Sequence, residues 1–173
     1  VSIATVVLCP PLPSALPAYD VPDTVDALLD DARLAGVRVL APEVPAGEPA
    51  DDQRTLHAHW VAHLAIALAA SAASAPLLLV LDGSAGALAP ALGFAQKAAR
   101  RAVAAYVLVD AATPPAESRG GDWPDAPVWF VASPAADPLE VNQARLRGWT
   151  VVEVADTTAP TVGTALATVV ASS

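Results

Sequence analysis

Leu77-Leu78-Leu79-Val80-Leu81-Asp82-Gly83-Ser84-Ala85-Gly86-Ala87-Leu88-Ala89-Pro90 is the stretch whose reading decides the fold. The aliphatic run from Leu77 to Leu81 shows no polar alternation, the pattern of a strand buried on both faces in a helix-covered parallel sheet. Small residues after it permit a very sharp turn, and the Ala/Leu-rich sequence beyond predicts a helix. Ser84 is expected at the apex of that turn, with its hydroxyl above the sheet and the helix N-terminus pointing at it. A serine so placed is a candidate nucleophile.

Outward from this stretch the chain alternates buried runs with helical patterns. Ile3 to Leu8 predicts the first strand, followed by the proline-rich Cys9-Pro10-Pro11-Leu12-Pro13. Val25 to Leu34 predicts an amphipathic helix stopped by Gly36, and Val37 to Ala41 a short strand. Pro42 to Asp52 mixes proline, glycine and acid and reads as a surface loop; its Glu43 is a solvated acid or a late-acting carboxylate. A helix is expected over Thr55 to Ala73 and another after Ser84, ending near Arg100-Arg101. Buried strands are expected at Ala104 to Val109 and Val128 to Ala132, then a helix over Leu139 to Arg147, a strand over Thr150 to Ala155 and a closing helix over Pro160 to Val170. The whole is expected to be a three-layer α/β fold, a mostly parallel sheet of about six strands between helices.

Composition bounds the function. The 173 residues, 54% hydrophobic and 16% charged, match one globular domain over residues 1–173. A net charge of -9 with a single lysine, Lys97, argues against nucleic acid and anionic membranes as partners. The uncharged run Leu64 to Leu81 is long enough to span a bilayer, but Ser71, Ser74 and Pro76 interrupt it, and a helix followed by a strand explains it better. One cysteine, Cys9, cannot form an intramolecular disulfide, so a cytoplasmic location is expected. Cys9 itself reads as a small buried hydrophobe, with a reactive thiol beside the pocket as the alternative.

The run around Ser84 resembles the G-x-S-x-G nucleophile elbow of the α/β-hydrolase superfamily, with Asp82 in place of the first glycine. The resemblance extends through Tyr106-Val107-Leu108-Val109-Asp110-Ala111, Trp123-Pro124-Asp125-Ala126-Pro127, Ser133-Pro134-Ala135-Ala136-Asp137 and Gly148-Trp149-Thr150-Val151-Val152-Glu153. Together these are similar to small bacterial α/β-hydrolases over nearly the whole chain. The resemblance implies Ser84 as nucleophile, Asp137 as triad acid, Asp110 at the functional edge, and Ala85 with the Cys9-Pro10 loop at the oxyanion hole. The helical cap that relatives insert is expected to be missing at Ala112 to Asp122.

Two positions depart from the family pattern. The loop Asp156-Thr157-Thr158-Ala159-Pro160 stands where relatives carry the catalytic histidine, and it has none. A His-Gly pair of the oxyanion loop is replaced by Cys9-Pro10-Pro11, and proline has no N–H to donate. All three histidines, His57, His59 and His63, lie on one helix before the serine. His59 and His63 are one turn apart, but no further ligand at matching spacing completes a metal site. Trp60 and His63 match a Trp-x-x-His pattern whose role in the family is structural. Asp82 is a substitute base for Ser84 or the residue that closes the turn. The expected protein is therefore a degenerate hydrolase-like scaffold, free of metal and cofactor, that binds a small molecule or partner; the alternative is a serine hydrolase or cofactor-free enzyme with a non-standard base. A homodimer is expected if the uncapped edge exposes Leu12, Trp123 and Trp129 as an apolar patch.

Overall fold

In the computed structural model, residues 2–13, 15–44, 52–115 and 123–173 are described. Six strands, β1 (Thr5–Leu8), β2 (Arg38–Leu40), β3 (Leu77–Asp82), β4 (Val103–Val109), β5 (Val128–Ala132) and β6 (Thr150–Glu153), form one parallel sheet in the order β2-β1-β3-β4-β5-β6. Every neighbouring pair is parallel, so all six carboxyl ends lie along one edge. β3 is central and all six of its residues are buried, as expected for a strand covered on both faces.

Alternate residues of the strands feed two cores. Leu77, Leu79 and Leu81 pack with Trp60, Leu64 and Leu68 of α2 (Gln53–Ala70), Leu92 of α3 (Ala89–Ala98) and Val141 of α4 (Pro138–Leu146). Leu78 and Val80 pack with Leu28 of α1 (Val21–Leu29) and with Val162, Leu166 and Val169 of α5 (Ala159–Ser172). The three-layer architecture follows from this alternation.

Several acids serve the helices locally. Asp20, Asp52 and Asp137 each stand before a helix and accept a backbone N–H from its first turn, at 2.9, 2.8 and 2.8 Å, which satisfies donors that the helix cannot. The first helix accordingly starts earlier than its apolar spacing predicts. Asp20 and Pro22 set its beginning, it ends at Leu29, and Ala32–Leu34 is a separate 3-10 turn capped by Asp31. The other expected elements are present with boundaries moved by a few residues. Part of the expected loop at Pro42 to Asp52 and of the capless segment at Ala112 to Asp122 lies outside the described residues.

The expected apolar patch does not form as drawn. Leu12 is buried in the core under α2 and α3, and Trp129 packs on the opposite face beside α5. No helix of the described residues is long and apolar enough to cross a membrane.

The stretch after β3 is held close to the segment after β4. Ala112 N–H donates to the Gly83 carbonyl at 2.8 Å, and a Cβ on Gly86 would lie 2.5 Å from the Ala112 carbonyl oxygen and 2.7 Å from Ala111 Cβ. Backbone cannot yield as a flexible side chain does, so Gly86→Ala is expected to cost about 1–3 kcal/mol by overpacking. Gly163→Ala on α5, where the new methyl meets Ala27 Cβ at 3.2 Å, should cost less because the helix gains about 1 kcal/mol in propensity. Urea denaturation of the two variants checks the order.

Candidate functional site

The carboxyl edge gathers the end of β1 at Cys9, the end of β3 at Asp82 and Ser84, the end of β4 at Asp110, and the loops after β5 and β6 at Ser133–Asp137 and Asp156–Thr158. Ser84 is exposed in a 3-10 turn, Gly83–Leu88. The residue with left-handed backbone is Gly83, at φ 48°, and not Ser84. α3 begins only at Ala89, with Pro90 in its first turn. Ser84 therefore lies at the start of a 3-10 turn that follows β3 directly and runs on without a break into α3.

Asp110 and Asp137 are both engaged. Asp110 adopts φ 43°, a region that Asp tolerates better than most residues. Its carboxylate accepts the Ser133 N–H at 2.7 Å and the Ser133 hydroxyl at 2.5 Å. It thus ties the end of β4 to the end of β5. Asp137 is exposed and caps α4 through Leu139 N–H. Neither acid has a hydrogen bond to Ser84.

Asp82 does more than close a turn. It is the last residue of β3, 2% exposed, and its Oδ2 accepts the Ala18 N–H at 2.6 Å. Its Oδ1 has no hydrogen-bond partner, and neither does the buried hydroxyl of the adjoining Tyr19. Burial raises the Asp82 pKa above its ordinary value, against the lowering effect of the Ala18 N–H. Cys9 is fully covered, its thiol pushed far up by burial and then by the Asp82 charge. A thiol so placed stays protonated, so the buried-hydrophobe reading of Cys9 holds and the reactive-thiol reading does not. Ala85 is buried, and Pro10 and Pro11 offer no backbone donor.

The loop after β6 is built from hydroxyls. Thr158 N–H and Oγ1 both donate to Asp156 Oδ1, at 3.0 and 2.6 Å, and the Thr158 bond is the main reason the Asp156 pKa is lowered. Thr157 and Thr158 border an open depression whose other wall is Pro17–Asp20. The histidines are elsewhere, on α2: His57 is half-buried, while His59 and His63 are exposed. His63 is therefore not a packed structural histidine, although its neighbour Trp60 is buried. Among the described residues no group of three or more His, Cys, Asp or Glu side chains could hold a metal ion.

Solved structures share this architecture. RedJ, determined with a PEG molecule in its active site, superposes with a TM-score of 0.59 at 14% identity, over 96% of this chain and 89% of that one. The chain has the α/β-hydrolase fold. The pyrethroid hydrolase PytH matches with a TM-score of 0.56 at 15% identity over 99% and 97% of the two chains. The NocB thioesterase domain, held in a covalent complex with a fluorophosphonate nocardicin G analog, matches with a TM-score of 0.51 at 17% identity over 88% and 83%. No protein-family model matches the sequence, and no curated protein matches it either. Within the α/β-hydrolase fold, Ser84 follows the central strand and Asp137 follows β5, whereas the loop after β6 brings threonines.

A feature that sequence reasoning missed lies away from this edge. A cavity of about 580 Å3 opens between α3 and α4, lined by Pro90, Trp123, Arg147 and Trp149 among others. Trp123, expected in an exposed patch, is instead half-buried between Tyr106 and Trp149.

The Asp82 geometry sets a pH dependence. A carboxyl with a raised folded pKa favours the neutral form, so its contribution to stability is full below the unfolded value and is lost as pH rises through the folded value. The wild type should therefore lose stability from about pH 4 upward through this group. Asp82→Asn keeps an acceptor for Ala18 N–H and cannot ionise. Its stability relative to the wild type is expected to rise over that pH range, as measured by denaturation at stepped pH.

Proposed function

We propose that this chain is a degenerate α/β-hydrolase-fold protein that binds a small molecule or a protein partner and does not turn over ordinary esters. The observation that carries this reading is the loop Asp156–Thr158. A serine hydroxyl is a poor nucleophile at neutral pH until a base takes its proton, and this loop carries Thr157 and Thr158, the latter's N–H and hydroxyl both bonded to Asp156. Support also comes from the loop after β1, where Pro10 and Pro11 replace donors, and from Asp137, whose carboxylate is committed to capping α4. This reading treats residues 1–173 as one domain, cytoplasmic on the strength of its lone cysteine, and calls for no cofactor.

A serine hydrolase with Asp82 as base is the second reading. The free Oδ1 of Asp82 and its raised pKa favour it, because a general base works best with a pKa near the working pH.

An esterase assay with an activated aryl ester decides between them. Loss of an oxyanion donor alone costs on the order of a hundredfold to a thousandfold, and loss of the base adds to that without strict additivity. The wild type is expected to be indistinguishable from Ser84→Ala, and unreactive toward a fluorophosphonate probe. Turnover abolished by both Ser84→Ala and Asp82→Asn would establish the second reading. Thr157→His and Thr158→His test whether an imidazole at this loop restores activity.

A further inference from the structure

The cavity between α3 and α4 is bordered by the described ends of the connection from β4 to β5, at Pro115 and Trp123. Parallel neighbours need a crossover that passes over a sheet face, and a helix usually supplies it. Here the described residues of that connection hold no helix. Trp123, where the description of that connection resumes, meets Tyr106 edge-on at 5.6 Å and Trp149 at 5.8 Å with planes 90° apart. Behind it the Tyr106 hydroxyl donates to Asp125 at 2.8 Å, so the ring ladder is anchored at its inner end. The two indoles form one side of a slot.

The slot's chemistry is one-sided. Its walls are indole and pyrrolidine rings, from Trp123, Trp149, Pro90, Pro115 and Pro124, and among the described residues its one charged lining residue is Arg147. The Arg147 guanidinium lies 5.1 Å from the Trp149 ring centre. α4 ends at Leu146 and turns through Gly148, which carries Arg147 and Trp149 to the mouth together. The neighbouring Arg145 is paired with Glu153 at 2.6 Å, whereas Arg147 has no carboxylate partner among the described residues. A volume of about 580 Å3 falls within the range of roughly 300–1,000 Å3 common to small-molecule sites. Ser84, Asp110 and Asp137 do not line it.

We infer that this slot binds a small, flat aromatic carboxylate, its ring between the indoles and its carboxylate on Arg147. Stacking and edge-on contacts with the rings supply affinity. The guanidinium, already oriented by Trp149, supplies the preference for an anion through charge-assisted hydrogen bonds. The inference deepens the binding-protein reading by naming a ligand class, and it rests on that reading only in taking binding to be the chain's task.

The test uses naphthoate and its neutral isostere naphthamide, titrated into the wild type, Arg147→Gln and Arg145→Gln by calorimetry. Proton–nitrogen spectra locate the site through the indole N–H signals. Naphthoate should bind the wild type and Arg145→Gln alike, and shift the Trp123 and Trp149 signals while leaving Trp60 and Trp129 in place. Arg147→Gln should weaken naphthoate about tenfold or more, equivalent to about 1.4 kcal/mol, and leave naphthamide unchanged. Equal binding of naphthoate and naphthamide, an unchanged affinity in Arg147→Gln, or no binding of either probe would overturn the inference. So would light scattering that shows a dimer whose formation shifts the same two indoles and excludes naphthoate, because the slot would then belong to a second copy. Esterase activity at Ser84 would overturn the scaffold reading and leave these binding results untouched, so the two failures are separable.

Discussion

A carboxylate buried at the end of the central strand must be met by something, and in this chain it is met by the backbone after β1. The sheet order β2-β1-β3-β4-β5-β6 reverses direction between β1 and β3, and open α/β sheets commonly place a ligand in the crevice at such a point. Here Asp82 stands in that crevice, and Ala18 N–H closes over it at 2.6 Å. The free Oδ1 and the unpaired Tyr19 hydroxyl are groups whose lack of a partner costs on the order of 1–3 kcal/mol each. The raised Asp82 pKa and the unreactive Cys9 thiol are consequences of the same closure. What would be a ligand crevice is filled by the protein's own loop.

The remaining acids at the carboxyl edge are also spent on architecture. Asp110 fastens β4 to β5 through Ser133, Asp137 starts α4, and Asp156 folds the loop before α5. In a working serine hydrolase an acid orients a histidine, and the histidine serves the serine. With no imidazole among them, these carboxylates bond to backbone and hydroxyl groups close by in the chain or the sheet. Here these carboxylates make caps and ties, and a fold by itself does not dictate an activity.

The fold was legible because β3 and β4 are uninterrupted aliphatic runs and because helices and strands alternate. The start of α1 was misplaced because apolar spacing was weighed above the stronger local signal of Asp20 followed by Pro22. The geometry at Ser84 was not legible: Gly83 takes the left-handed backbone, and the turn is held by the Ala112 N–H on the Gly83 carbonyl and by the close approach of Ala111 and Ala112 to Gly86, contacts between segments far apart in sequence. The fates of Asp82 and Arg147 were hidden for a related reason. One is decided by a loop that returns over β3, the other by the meeting of Trp149 with Trp123 from another part of the chain, and neither leaves a mark in the residues next to it.

The connection between β4 and β5 is also a place where the chain can change length. Its described ends are held on one side by Thr113 N–H on Glu140 at 2.8 Å and on the other by the Tyr106–Trp123 contact. With both ends tied to the body, the register of β4 against β5 is fixed by residues outside the span. Lengthening a loop with fixed ends costs only about 0.6 kcal/mol for each doubling. The connection is therefore a natural splice point, able to take on or shed a covering segment across the Trp123–Trp149 slot while the sheet beneath keeps its alignment.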